Sequence, residues 1–253
     1  MAKPDQIVPV DSEHSAIAQC LRGGTSAEVR KLILTASGGP FRAKEVSELA
    51  QVTARDALQH PTWQMGPVVT INSSTMMNKG LEIIEAHLLF EVPIERIDVV
   101  VHPQSIIHSM VEFIDGSTLA QVSPPDMHLP IALGLTWPKR LDHSTQAVDW
   151  RQASSWTFEP VRHDVFPAVA LAKRVGELAG TAPAVMNGAN EIAVAHFLEN
   201  RLPYLEIIPF VTRVVEDHLK QGFVADEGLT IEAVTQAASW ATEHAQRLMQ
   251  SRA

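Results

Sequence analysis

The sequence predicts an α+β protein in which a mixed sheet with helices packed on it is followed by a linker and a C-terminal helical bundle. Three observations carry that prediction. Short β-branched runs recur through the first half, at residues 7–10, 31–35, 67–71 and 97–101. The triplet Asp115-Gly116-Ser117 separates two further apolar runs, 110–114 and 118–122. Asp-Gly tolerates the positive φ of a tight turn, so this is a hairpin signal. From Phe166 onward apolar residues fall at spacings of three and four, the period of amphipathic helices.

Taken in order, the first half also holds helix-like stretches at 14–21 and 75–90, between the β-branched runs. Periodicity fades through W-P-K-R-L-D-H-S-T-Q and T-F-E-P-V-R-H-D, which reads as a polar connector. Helices are expected at 166–178, 190–199, 205–219 and 230–249. The last shows Ile231, Val234, Ala238, Ala241, Ala245 and Leu248 on one stripe, with Thr230 as its N-cap. The expected division is 1–136 for the sheet-containing part, 137–164 for the linker and 165–253 for the helical part.

A chain of 253 residues with 45% hydrophobic and 19% charged residues is long enough, and apolar enough, to bury one large core or two smaller ones. Its formal charge of −9 and lack of a Lys/Arg cluster argue against general nucleic-acid binding, which needs a basic face. The single cysteine, Cys20, allows no internal disulfide and sits among apolar neighbours, as a buried structural thiol does. No stretch approaches a transmembrane helix and no signal peptide is visible, so a cytoplasmic location away from the membrane is expected. The abrupt entry into the apolar run 7–10 leads us to expect a segment upstream.

Four stretches are more polar than their neighbours require. In V-D-S-E-H, extended geometry sets Asp11 and Glu13 on one side, where two carboxylates can share a divalent cation; the plainer reading is that Asp11 or Ser12 caps a helix. In T-A-S-G-G-P-F-R, paired glycines let the backbone approach a ligand and Ser37 can donate to a phosphate oxygen, unless the segment is merely a turn. In H-P-T-W-Q-M-G-P, His60, Trp63 and Met65 lie on a loop, where large apolar side chains suit a lid or contribute to core packing. The fourth is N-S-S-T-M-M-N-K-G-L-E. With a helix starting near Thr75, its free N–H groups would lie beside Ser73, Ser74, Asn78 and Lys79, with Glu82 one turn further on and outside the core. The alternative is an ordinary Lys79–Glu82 pair on a solvated face.

Together these stretches supply three carboxylates (Asp11, Glu13, Glu82) and an anion-binding set (Ser37, Ser73, Asn78, Lys79). Oxygen-only ligands suit Mg²⁺ or Mn²⁺, which polarises a carbonyl. The residues therefore point to a metal-dependent enzyme acting on a small phosphate ester.

The chain from Ile7 onward resembles the 1-deoxy-D-xylulose-5-phosphate reductoisomerase family. The likeness rests on PVDSEHSAI, LTASGGPFR, HPTWQMG, NSSTMMNKGLEIIEA, VHPQSIIHSM, SPPDM and NGANEIAVAHFL, in that order. It implies that Asp11, Glu13 and Glu82 bind the metal, and that Asp11, His60, Lys79 and Glu82 act catalytically. It further implies that Ser12 contacts keto or hydroxyl groups and that Ser37, Ser73, Asn78 and Lys79 hold the phosphate. His60 would open a flap that uses Trp63 and Met65 to cover the substrate, and His108 and Met127 would lie near the nicotinamide. The implied reaction rearranges 1-deoxy-D-xylulose 5-phosphate and reduces the product with NADPH to 2-C-methyl-D-erythritol 4-phosphate, in non-mevalonate isoprenoid synthesis, by a homodimer. Family members carry a glycine-rich NADPH-binding domain ahead of PVDSEH, whereas these residues contain no strand–GxGxxG–helix unit. The expectation is thus the catalytic (connective) and C-terminal domains without the nucleotide domain, with no hydride transfer by this polypeptide alone. Two alternatives are a metal- and phosphate-binding module without redox chemistry and a self-sufficient phosphosugar isomerase.

Overall fold

A computed structural model describes residues 6–59, 63 and 65–251. The chain forms two compact units, Met1–Ser37 with Ala86–Val161 and Gly38–Glu85 with Arg162–Ala253. They interleave along the sequence because the crossover between two parallel strands is long, and most of it belongs to the second unit.

The first unit begins with α1 (Ser12–Cys20), which buries Ala16, Ile17 and Cys20. Burial in this apolar setting raises the Cys20 thiol pKa to about 11, the state of an inert structural cysteine. Five strands follow: β1 (Val29–Ala36), β2 (Ile97–Val101), β3 (Ile107–Phe113), β4 (Thr118–Val122) and β5 (Glu159–Pro160). They form one sheet in the order β4-β3-β1-β2-β5. The β1–β2 pair is parallel and the others are antiparallel, so the sheet is mixed as expected. Alternating burial along β1 places Leu32 and Leu34 in the core. Thr35 ties β1 to β3 by donating its hydroxyl to the Ile107 and His108 carbonyls at 2.7 and 2.8 Å.

The second unit is helical. It contains the short α2 (Val46–Leu49) and α3 (Ala54–Ala57), then α4 (Pro67–Ser74) and the first turns of α5 (Met77–Phe90). After α6 (His128–Thr136) of the first unit, the helical unit resumes with α7 (Ala168–Leu178), α8 (Ala182–Leu198), α9 (Ile207–Gln221) and α10 (Ile231–Gln250). Thr230 caps α10 as its sequence suggests, accepting from the Ala233 N–H at 3.1 Å. Gly80 and Gly188 bring helices together: a Cβ at Gly80 would stand 2.7 Å from that of Ala172 on α7, and one at Gly188 3.2 Å from the Ala238 carbonyl on α10.

Three expected elements differ. Residues 7–10 are not a strand, because Pro9 has no N–H for a ladder, and Ile7 and Val10 are exposed. The β-branched run 67–71 is the start of α4, since Pro67 at the first helical position is pre-organised for a helix and overrides the weak preference of Val68 and Val69. Residues 159–160, expected in a connector, add a strand to the sheet edge. Among the described residues no helix is long and apolar enough to cross a membrane.

His218 of α9 is buried and shares a 2.8 Å hydrogen bond with Thr181. Burial lowers its pKa, and burial followed by the charge of Arg201 does the same at His196. The unfolded chain takes up protons at these groups first, near the ordinary histidine pKa of about 6.5, so stability is lost as pH falls from there toward the folded-state values. Thermal melts between neutral and mildly acidic pH should show this loss, with a shallower slope in His218→Gln; equal slopes would exclude His218 as a source.

Candidate active site

In the first unit, the backbone of Asp11 caps α1, with its carbonyl accepting from the Ser15 N–H at 2.8 Å. Its side chain makes no capping bond. The carboxylate instead meets Nδ1 of His14 at 2.8 Å, one turn on and 1% exposed. The plain capping reading of the Asp11 side chain is therefore set aside. Ser12, at the first position of α1, is buried and donates its hydroxyl to the half-buried Glu13. His14 was not singled out by the sequence reading, although Asp and His three apart at a helix start are neighbours by geometry. His108, on β3, is buried with Nε2 3.1 Å from the Ser123 carbonyl, and Met127 lies exposed just before α6. Ser37 follows β1 and is half-buried.

In the second unit the decisive feature is a corner between two helices. The expected helix start at Thr75 is displaced: Thr75 ends α4, Met76 turns the chain with φ of +64°, and α5 begins at Met77. Ser73 and Ser74 thus sit in the last turn of α4, shortly ahead of the start of α5. Ser74 is occupied locally, donating to the Ile71 carbonyl at 2.7 Å. The Thr75 hydroxyl accepts from the Met77 N–H at 3.3 Å and joins the two helices. The break was not legible because M-M-N-K-G carries no glycine or proline where the chain turns.

Two further groups fix this corner. Gly39 has φ of +65°, and a Cβ there would lie 2.9 Å from the Ser73 carbonyl and 3.0 Å from the Ser74 Cα. The glycine is needed both for its backbone conformation and for its approach to α4. From the far side Tyr204 donates its hydroxyl to the Ser74 carbonyl at 2.6 Å, and burial pushes its pKa well above the usual tyrosine value.

Within α5, Lys79 and Glu82 pair at 2.5 Å, and Asn78 donates to the other carboxylate oxygen. The spacing predicts this polar strip but sets it on a solvated face or outside the core, whereas the structure buries it. Lys79 and Glu82 are each only 4% exposed. Removing both charges from water is costly, and structural needs rarely call for it. Trp63 and Met65 are half-buried, whereas His60 lies outside the described residues.

The chain as a whole is similar to known proteins. A family model described as the 1-deoxy-D-xylulose 5-phosphate reductoisomerase C-terminal domain matches residues 7–90, and one described as the DXP reductoisomerase C-terminal domain matches 122–244. The 1-deoxy-D-xylulose 5-phosphate reductoisomerase of Streptomyces avermitilis is 58% identical over 98% of this chain and 62% of its own length. The enzyme of that name from Leifsonia xyli is also 58% identical, over 98% of this chain and 67% of its own. The chain thus spans under two thirds of the Streptomyces relative. Among solved structures, a DOX-P reductoisomerase in complex with NADPH, fosmidomycin and magnesium has a TM-score of 0.89 at 37% identity, covering 96% of this chain and 63% of that one. The Zymomonas mobilis 1-deoxy-D-xylulose 5-phosphate reductoisomerase in complex with NADPH has a TM-score of 0.85 at 44% identity, covering 96% and 62%.

Burial of the Lys79–Glu82 pair predicts that Glu82→Ala, by removing the carboxylate paired with a buried ammonium, costs about 3–5 kcal/mol of stability. Glu82→Gln, which keeps an acceptor, should cost clearly less. Urea unfolding checks this, and a loss of under about 1 kcal/mol in Glu82→Ala, the scale of an exposed ion pair, would show that the buried charge is not what matters.

Proposed function

The chain belongs to the 1-deoxy-D-xylulose 5-phosphate reductoisomerase family, and on that footing we propose that it provides the metal- and phosphate-binding part of this enzyme's reaction. In this reading Asp11, Glu13 and Glu82 hold Mg²⁺ or Mn²⁺, and Ser37, Ser73, Asn78 and Lys79 hold the substrate phosphate. The observation that carries it is the Asn78–Lys79–Glu82 cluster of α5, a buried carboxylate and ammonium on one helix face. The donor set fits a hard divalent cation, being oxygen-only and carboxylate-rich. The Asp11 side chain supports it too, because it is not used to cap its helix.

The cation, when bound, acts as a Lewis acid on the substrate's carbonyl and hydroxyl oxygens. The protein's part is placement. Before ligand arrives, Lys79 and Glu82 neutralise one another. With ligand bound, Glu82 would hold the cation and Lys79 the phosphate, so each buried charge would keep a partner of opposite sign. His14 holds the Asp11 carboxylate in place, and Ser12 contacts the substrate's keto or hydroxyl groups. His60, Trp63 and Met65 form the covering flap that keeps water from the rearranging carbon skeleton. His108 and Met127 face the reacting end and the nicotinamide.

The overall reaction we propose is rearrangement and NADPH-dependent reduction of 1-deoxy-D-xylulose 5-phosphate to 2-C-methyl-D-erythritol 4-phosphate, for isoprenoid synthesis in the cytoplasm. The working form is a homodimer to which the β3–β4 hairpin, at the sheet edge, contributes. The functional division is a catalytic part at 1–136, a linker at 137–164 and a helical part at 165–253. The 253-residue polypeptide binds metal and substrate without oxidising NADPH by itself, since it contains no glycine-rich dinucleotide loop.

Two experiments test this reading. Calorimetric titration with Mn²⁺ should show one site that Asp11→Asn weakens by roughly tenfold or more, the scale of losing one charged ligand interaction; an unchanged affinity would remove Asp11 from the metal site. The purified 253-residue polypeptide, given substrate, Mn²⁺ and NADPH, should leave the reduced nicotinamide absorbance constant, and turnover typical of a complete enzyme would overturn the assignment of a binding part alone.

A further inference from the structure

We infer that Asn190 and Asn72 are positioning residues for the phosphate end of the substrate, an inference that rests on the phosphate reading above. Asn190 on α8 is fully buried and donates its amide N–H to Asn72 Oδ1 on α4 at 2.9 Å. Asn72 is itself buried and immediately precedes Ser73. Among the described residues, Asn190 Oδ1 is buried and has no hydrogen-bond partner. Leaving such an acceptor unanswered costs roughly 1–3 kcal/mol, whereas a pair of apolar side chains of the same shape would avoid that cost. Stability alone therefore gives no reason for two amides here. Geometry does: an amide–amide bond has a fixed length and direction, which packed methyl groups lack.

The bond fixes the last turn of α4, the turn that carries Ser73. It acts with two other restraints on the same turn, the Gly39 backbone against Ser73 and the Tyr204 hydroxyl on the Ser74 carbonyl. Asn190 is in turn held by a rigid support, because Gly188 brings α8 into close contact with α10. The C-terminal helices thus set where a phosphate-binding serine sits, although Asn190 and Tyr204 need not touch the substrate. A displacement of about an ångström at such a site is enough to weaken binding substantially.

The test measures binding of the phosphonate fosmidomycin and, separately, of Mn²⁺ to the 253-residue chain by calorimetry, together with melting temperature. Two variants are compared with the parent, Asn190→Ala and the double Asn72→Leu/Asn190→Leu, the second chosen to keep the fold by replacing both amides with apolar side chains. Both should bind fosmidomycin roughly tenfold more weakly, the scale of one buried hydrogen bond, while Mn²⁺ affinity stays unchanged. A folded double variant with parental fosmidomycin affinity overturns the inference, as does a parallel loss of Mn²⁺ and fosmidomycin affinity, which marks general loosening. Ser73→Ala separates the two levels: affinity lost there and kept in the Asn190 variants defeats only the positioning role, while affinity kept in Ser73→Ala defeats the phosphate reading and this inference together.

Discussion

A carboxylate and an ammonium removed from water must answer one another, and this constraint organises the helical unit. Glu82 and Lys79 lie one turn apart on α5, each almost fully buried, with Asn78 also donating to the carboxylate. Desolvating both groups is tolerable only while their geometry is held. The start of α5 must therefore be fixed, and the surroundings do so: Thr75 bonds across the corner, Gly39 packs against α4, and Tyr204 holds the Ser74 carbonyl. Gly80 allows α5 to lie close against α7.

The sheet unit shows the same economy on a smaller scale. Asp11 has a role open to it as an N-cap, yet its side chain goes to a buried imidazole. A carboxylate oriented by a histidine, with Glu13 two residues on, is a pair of hard oxygen donors on a rigid helix start. Building donors on a helix anchored to a sheet gives more precise placement than a free loop would. The interleaved units follow from topology, since the parallel β1–β2 connection must leave and return, and its excursion supplies α2 through the first turns of α5.

Much of this was legible in the sequence, and the gaps have physical causes. The Asp-Gly hairpin, the strand at 97–101, the C-terminal helices and the Thr230 cap all follow from local rules of turn chemistry and period. Polar clustering also marked Asp11, Glu13, Asn78, Lys79 and Glu82. Local rules failed where a few residues outvoted the rest: Pro67 turned a β-branched run into a helix, and Pro9 kept residues 7–10 out of the sheet. They failed again at the α4–α5 corner, where Met76 adopts a positive φ that its type disfavours and that tertiary contacts impose. Burial of the Lys79–Glu82 pair was equally hidden, because the same i,i+3 spacing serves a solvated pair. The contributions of Asn190 and Tyr204 come from more than a hundred residues away in sequence, beyond the reach of any local pattern.

On the proposed function, Glu82 exchanges its lysine for a divalent cation shared with Asp11 and Glu13. The most direct measurement is a crystal structure of the polypeptide grown with Mn²⁺ and fosmidomycin, with the metal located by its anomalous scattering. The expected result is a single strong peak coordinated by all three carboxylates, with the Lys79 ammonium turned to the phosphonate. A peak bound elsewhere, or a Glu82 carboxylate still paired with Lys79 beside a fully occupied metal, would contradict it.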